Sequence, residues 1–167
     1  MNNNEDTKKM RAMLSAELEA DPLAARGKKL TVVLLIVWIA TRLLALVLER
    51  VCARIGYVDA GAVNIVGIVM ALAFSLLIYG GAVKAAFLPL AGGILMVVSS
   101  FRDRLYPMLG YGLDPVLTAY FAAFILAAWA QLLIMLALLF LSSCKAYGEA
   151  AMRVGKRFKN GTEGPHL

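Results

Sequence analysis

Apolar residues fall in four long blocks along this chain, at 30–48, 58–83, 85–101 and 116–141, with polar residues before, between and after them. A helix needs about 20 residues to cross the hydrocarbon core of a bilayer. The pattern predicts an all-α, polytopic integral membrane protein, a four-transmembrane-helix bundle with spans at about 30–50, 58–80, 85–103 and 115–144. Only Gly80, Gly81 and Lys84 part the second block from the third. Together these blocks are about twice one span, so the glycines are expected to break a tight helical hairpin. The third block is the shortest and holds Pro89, which suits a first helical turn and would kink an interior.

The flanks read as short cytoplasmic amphipathic helices. In segment 1–29, Met10, Leu14 and Leu18 share one face of a helix over 7–20 that Pro22 stops. In the basic segment 145–167, Tyr147, Ala151, Val154 and Phe158 recur at helical spacing opposite Lys145, Arg153, Lys156 and Arg157. That is the pattern of a helix lying among lipid headgroups, followed here by a tail expected to lack order. Two turns resemble each other, Gly56-Tyr57-Val58-Asp59 and Gly110-Tyr111-Gly112-Leu113-Asp114-Pro115. Asp59 and Asp114 are expected to cap the next helix in each case, and the tyrosines to sit at the membrane interface. The stretch Met13-Leu14-Ser15-Ala16-Glu17-Leu18, followed by Asp21-Pro22-Leu23, resembles the N-terminal segment of maltose acetyltransferases. That family's hexapeptide repeats are absent, so the likeness carries no expectation of fold or activity.

Composition agrees with the pattern. The 167 residues are 61% hydrophobic with a mean hydropathy of +0.76, more apolar than a soluble domain of this size can hide. Both polar ends are basic and account for most of the net charge of +6. With both termini inside, twelve Lys and Arg lie on the cytoplasmic side against Arg50, Arg54, Arg102 and Arg104 outside, which favours an even number of spans. The expected address is the plasma membrane, such as a bacterial inner membrane. The expected partners are anionic headgroups, a second copy of the chain or a larger membrane protein, and not nucleic acid. The polar first 28 residues are unlike a cleavable signal peptide. Cys52 and Cys144 fall near opposite bilayer faces, too far apart to pair.

Arg42 is the one charge deep inside an apolar block. It lies roughly 18 Å from the cytoplasmic boundary by helical rise. A charge there costs about 2.5–3.5 kcal/mol on insertion scales, which makes it a candidate for function. Depth counting brings Asn64, Tyr120 and Gln131 near it, and Glu49 follows at i+7. The expected intramembrane polar layer is Arg42, Glu49, Asn64, Tyr120 and Gln131, with the Arg42 head bending up toward Glu49. Small residues at Gly67, Ala71 and Ser75, and at Ala119, Ala123 and Ala127, mark faces for close helix packing.

No catalytic motif is present, and no metal or cofactor is expected. His166, the sole histidine, is next to the C-terminus, and Ser99 and Ser100 lack a base. The chain reads as a small non-enzymatic membrane protein, a subunit or accessory component of a membrane complex. The alternative is a small oligomeric channel or transporter that uses the layer around Arg42.

Overall fold

The computed structural model describes residues 3–58, 63–110 and 112–162. It is all-helical, with no strand among those residues. The helices are α1 (Asn3–Ala20), α2 (Pro22–Arg54), α3 (Val63–Tyr79), α4 (Phe87–Ser100), α5 (Tyr106–Gly110), α6 (Pro115–Phe140) and α7 (Ser142–Thr162). A 3-10 turn, Val83–Ala86, leads into α4, and a π-helical turn, Phe101–Leu105, joins α4 to α5.

Three of these helical stretches are long and apolar enough to cross a membrane: Pro22–Arg54, Val83–Gly110 and Pro115–Phe140. The fourth expected span is the short one. Its apolar helix covers Ile65–Tyr79 among the described residues, roughly 22 Å at 1.5 Å per residue. The sequence marked the third block as the shortest. In the fold that block does not end at 103, because the π turn carries the helix on to Gly110. Pro89 sits at the third position of α4, where its missing N–H costs no helical bond.

Capping chemistry sets the breaks. Asp21 accepts hydrogen bonds from the N–H groups of Leu23 (3.0 Å) and Ala24 (3.1 Å), with Pro22 at the first helical position. Asp114 accepts from the Val116 N–H at 2.8 Å ahead of Pro115. Asp59 lies outside the described residues, as do Tyr111 and His166. Gly81 ends α3 in the left-handed region (φ 98°). The Ala82 N–H bonds the Leu77 carbonyl and the Gly81 N–H bonds that of Ile78, the paired C-terminal cap that glycine permits.

α2 is the spine, packed along α6, α7 and α3, while α4 packs along α6. Small residues let the backbones close in. Ala123, Ala127 and Ala128 are buried on α6, and Ala71 and Ser75 on α3. α3 makes its main contacts with α2 and the 3-10 turn. The apolar core gathers Leu35, Trp38, Ile78, Ile134, Met135 and Leu138 in the half of the bundle nearer the termini.

The two amphipathic helices meet each other, a use of their apolar faces that the sequence did not specify. Leu18 and Ala24 pack with Tyr147 and Ala150 in a second cluster. Glu17 accepts from Arg153 (2.9 Å) and Arg157 (3.1 Å) across it. Of the α7 face expected to lie on lipid, Tyr147 and Val154 are buried inside the chain. The Tyr147 hydroxyl donates to the Tyr79 carbonyl at 2.6 Å, tying α7 to the end of α3.

Candidate functional site

Arg42 lies on the buried stripe of α2 formed by Trp38, Ala45, Glu49 and Cys52. The small Ala45 leaves room on that stripe beside the guanidinium. Opposite stands Gln131 of α6, 3% exposed. Its side-chain oxygen accepts from Arg42 Nη2 and from Trp38 Nε1 (3.2 Å), which engages both lone pairs. Its Nε2 donates to the Pro89 carbonyl at 2.5 Å. One amide thus joins α2, α4 and α6 at mid-bundle. Gly92 and Gly93 permit the approach, since a Cβ at Gly93 would lie 3.3 Å from Gln131 Cγ.

The Arg42 head also reaches Met96 of α4. This corrects the expectation that it bends along α2 toward Glu49. A glutamine carbonyl facing it from α6 engages Nη2 without the climb of a full helical turn and more, and leaves Nε free. On the other side, Gly67 of α3 leaves 3.6 Å between Arg42 Nη1 and the place where a Cβ would be.

Above the Gln131 junction a cavity of about 740 Å³ opens toward the end that carries the Gly56 and Gly112 turns. Arg42 and Gln131 form its inner end, Glu49 and Tyr120 its walls, and Asp103, Arg104 and Val58 its mouth. Four of the five expected layer residues therefore line one cavity. The fifth, Asn64, is on α3, and its side chain lies outside the described residues.

Sequence reading missed Arg104, which it placed in an exterior loop. The π turn adds one residue to the helical ring, the Tyr106 N–H bonding the Phe101 carbonyl, and so rotates the neighbouring side chains around the axis. Arg104 lands flat over the Phe124 ring of α6, 3.4 Å from its centroid. The only signal available in advance was the i, i+2 pair Arg102 and Arg104 after a long apolar run. Arg102 remains exposed, 3.9 Å from Asp103.

Both arginines keep a buried Nε–H with no hydrogen-bond partner among the described residues. An unpaired buried donor costs about 1–3 kcal/mol, and more where it is charged. Two such donors on one cavity wall suit an acceptor that enters from outside. Glu49, 5% exposed, brings one carboxylate to the same wall, so the pair of arginines is not left with its full double charge.

In the Gly56 and Gly112 turns the Asp114 carboxylate is near enough to the Tyr57 hydroxyl to push the phenol above its ordinary range. Ser99 also lines the cavity, but its hydroxyl donates to the Met96 carbonyl (3.1 Å), and that of Ser100 donates to Val97 (2.8 Å). Neither is aligned with a base. Among the described residues no three His, Cys, Asp or Glu side chains gather as metal ligands. No family model, curated protein or solved structure matches the chain, so its reading rests on this geometry.

Proposed function

We propose that this chain is a non-enzymatic, multi-pass membrane protein that binds a small anion in the outer half of its bundle, as the site of a small oligomeric channel or carrier. The observation that carries this reading is the pair of buried, unpartnered Nε–H donors on Arg42 and Arg104 in one cavity. The cavity's volume lies in the range of small-ligand sites, roughly 300–1,000 Å³. Glu49 in its wall and Asp103 at its mouth balance the two arginines, so the anion would be held by the two Nε–H donors and not by a net positive charge.

The topology proposed with it has four spans and both termini in the cytoplasm. The distribution of Lys and Arg supports that orientation. α3 supplies the fourth span, its short apolar length met by local thinning of the bilayer. The Trp38–Gln131–Pro89 junction and the apolar core then close the cavity on the cytoplasmic side, which corresponds to an outward-open state.

A second reading, an accessory subunit of a larger membrane complex, draws support from α3. That helix leans mainly on α2 and exposes Ile65, Val66, Val69 and Leu76, a face that another membrane protein could cover. Reconstitution separates the two. Purified protein in liposomes should exchange chloride or acetate, and Arg42→Leu with Arg104→Gln should abolish exchange while insertion persists. Impermeant liposomes, together with a stoichiometric larger partner after purification in mild detergent, would favour the subunit instead.

A further inference from the structure

A second cavity of about 470 Å³ lies at the opposite end of the bundle, where α6 gives way to α7 beside the α3–α4 turn. Its walls are apolar: Phe87, Leu139, Phe140 and Met152. Phe87, Phe140 and Met152 are 58%, 66% and 46% exposed, so the groove is open along its length. Lys84 of the 3-10 turn and Lys145 of the first turn of α7 stand at its rim, the Lys145 ammonium 5.7 Å from the Phe140 ring centroid. Neither lysine forms a salt bridge among the described residues. Glu149, one turn beyond Lys145, is the one acid in the lining.

Local backbone chemistry builds this groove. Leu141 leaves the helical region (ψ 127°), so α7 starts afresh at an angle to α6. Gly148 allows α7 to press on the α3–α4 turn, since a Cβ there would lie 2.5 Å from Val83 Cγ2. Gly81 does the same from the other side, 2.6 Å from the Ala151 Cβ. This close contact forms one side of the groove, and Phe87 of α4 with Leu139 and Phe140 of α6 forms the apolar remainder.

We infer that this groove holds one anionic phospholipid of the cytoplasmic leaflet, its phosphate between Lys84 and Lys145 and an acyl chain along Phe87, Leu139 and Phe140. The chemistry is complementary in order as well as kind. In the proposed topology the two ammonium groups stand at headgroup depth, and the aromatic walls lie directly on the hydrocarbon side of them. Two lysines against Glu149 leave a single net positive charge, matched by a headgroup with one net negative charge. The inference rests on the four-span topology but not on the anion cavity.

The test uses the full chain in nanodiscs of phosphatidylcholine doped with phosphatidylglycerol, with bound lipid counted by native mass spectrometry after release into mild detergent. One phosphatidylglycerol should be retained per chain. Each of Lys84→Ala and Lys145→Ala should weaken retention about fivefold and the double variant about thirtyfold, the weight of a basic residue at an anionic surface. Lys84→Arg with Lys145→Arg should retain the lipid, which separates charge from fold, and Arg42→Leu should leave retention unchanged. Equal retention of phosphatidylglycerol by the wild type and the double alanine variant would overturn the site, as would equal retention of phosphatidylcholine. One-sided labelling of Lys145→Cys reports the topology separately: reaction from the outer face would sink the orientation, whatever the lipid count.

Discussion

Replacing Gln131 with leucine removes the junction of three helices while nearly preserving side-chain volume. Three hydrogen bonds are lost: those from Arg42 and Trp38 to the amide oxygen and that from Nε2 to the Pro89 carbonyl. Interhelical hydrogen bonds inside membrane proteins average about 0.6 kcal/mol each, so three set a floor of about 2 kcal/mol. Leucine also strands the Trp38 and Arg42 donors in a buried layer, at about 1–3 kcal/mol for a neutral donor and more for a charged one, which sets a ceiling of about 5 kcal/mol. Gln131→Glu keeps the acceptors for Arg42 and Trp38 and gives Arg42 a counter-charge, but it sets a carboxylate oxygen against the Pro89 carbonyl, so it should fall between the wild type and Gln131→Leu. The assay is unfolding by SDS in mixed micelles, followed by tryptophan fluorescence in a Trp129→Phe background, which reads Trp38 alone. If Gln131→Leu unfolds within about 0.5 kcal/mol of the wild type, the scale of an ordinary surface substitution, the junction is not what holds α2, α4 and α6 together.

Three further outcomes probe the end that carries the termini. A Cβ at Gly27 would run into the Ser143 carbonyl oxygen, backbone that cannot give way. Gly27→Ala should therefore cost about 3 kcal/mol, the upper end of usual overpacking, and expose the buried Cys144 thiol to maleimide. Burial, with a smaller effect from Tyr79, pushes the Tyr147 phenol up to about 12. The fold therefore holds the neutral phenol more tightly than the unfolded chain does. Its stabilisation should be complete below the ordinary phenol range and fade as pH rises through about 12, a component that Tyr147→Phe removes from pH-dependent melting curves. Glu17→Ala breaks two exposed ion pairs and should cost under about 1 kcal/mol, less still at high salt.

Much of the scaffold was legible because it derives from local chemistry. Pro22 stands just past the end of α1, Asp114 and Pro115 start α6, Gly81 ends α3, and the alanines of α6 form its packing face, whereas the Asp21 cap that starts α2 at Pro22, ahead of the expected span at 30, was not read. Arg42 and Gln131 stood out because polar groups inside apolar blocks are costly unless they are partnered. The features that remained hidden depend on rotation and partner choice. Helical spacing does not reveal a π turn, so Arg104 read as an exterior loop residue. The spacing of Tyr147 and Val154 specifies an apolar stripe but not whether lipid or α1 covers it. Depth counting placed Arg42 and Gln131 at one level, yet the direction of a long flexible side chain is decided by which acceptor lies nearest. Both cysteines are buried, so introduced cysteines at exposed positions such as Lys145 are better reporters of topology.

The central claim, that Arg42 and Arg104 bind an anion in one cavity, has a spectroscopic reporter already in place. Trp129→Phe leaves Trp38 as the sole tryptophan, hydrogen-bonded to the same Gln131 oxygen as Arg42. Titrating that protein in nanodiscs with chloride, acetate or phosphate at constant ionic strength should give a saturable change in Trp38 emission for at least one of them, and Arg42→Leu with Arg104→Gln should erase it. A response that is flat for all three anions, or one that survives the double substitution, would contradict the account.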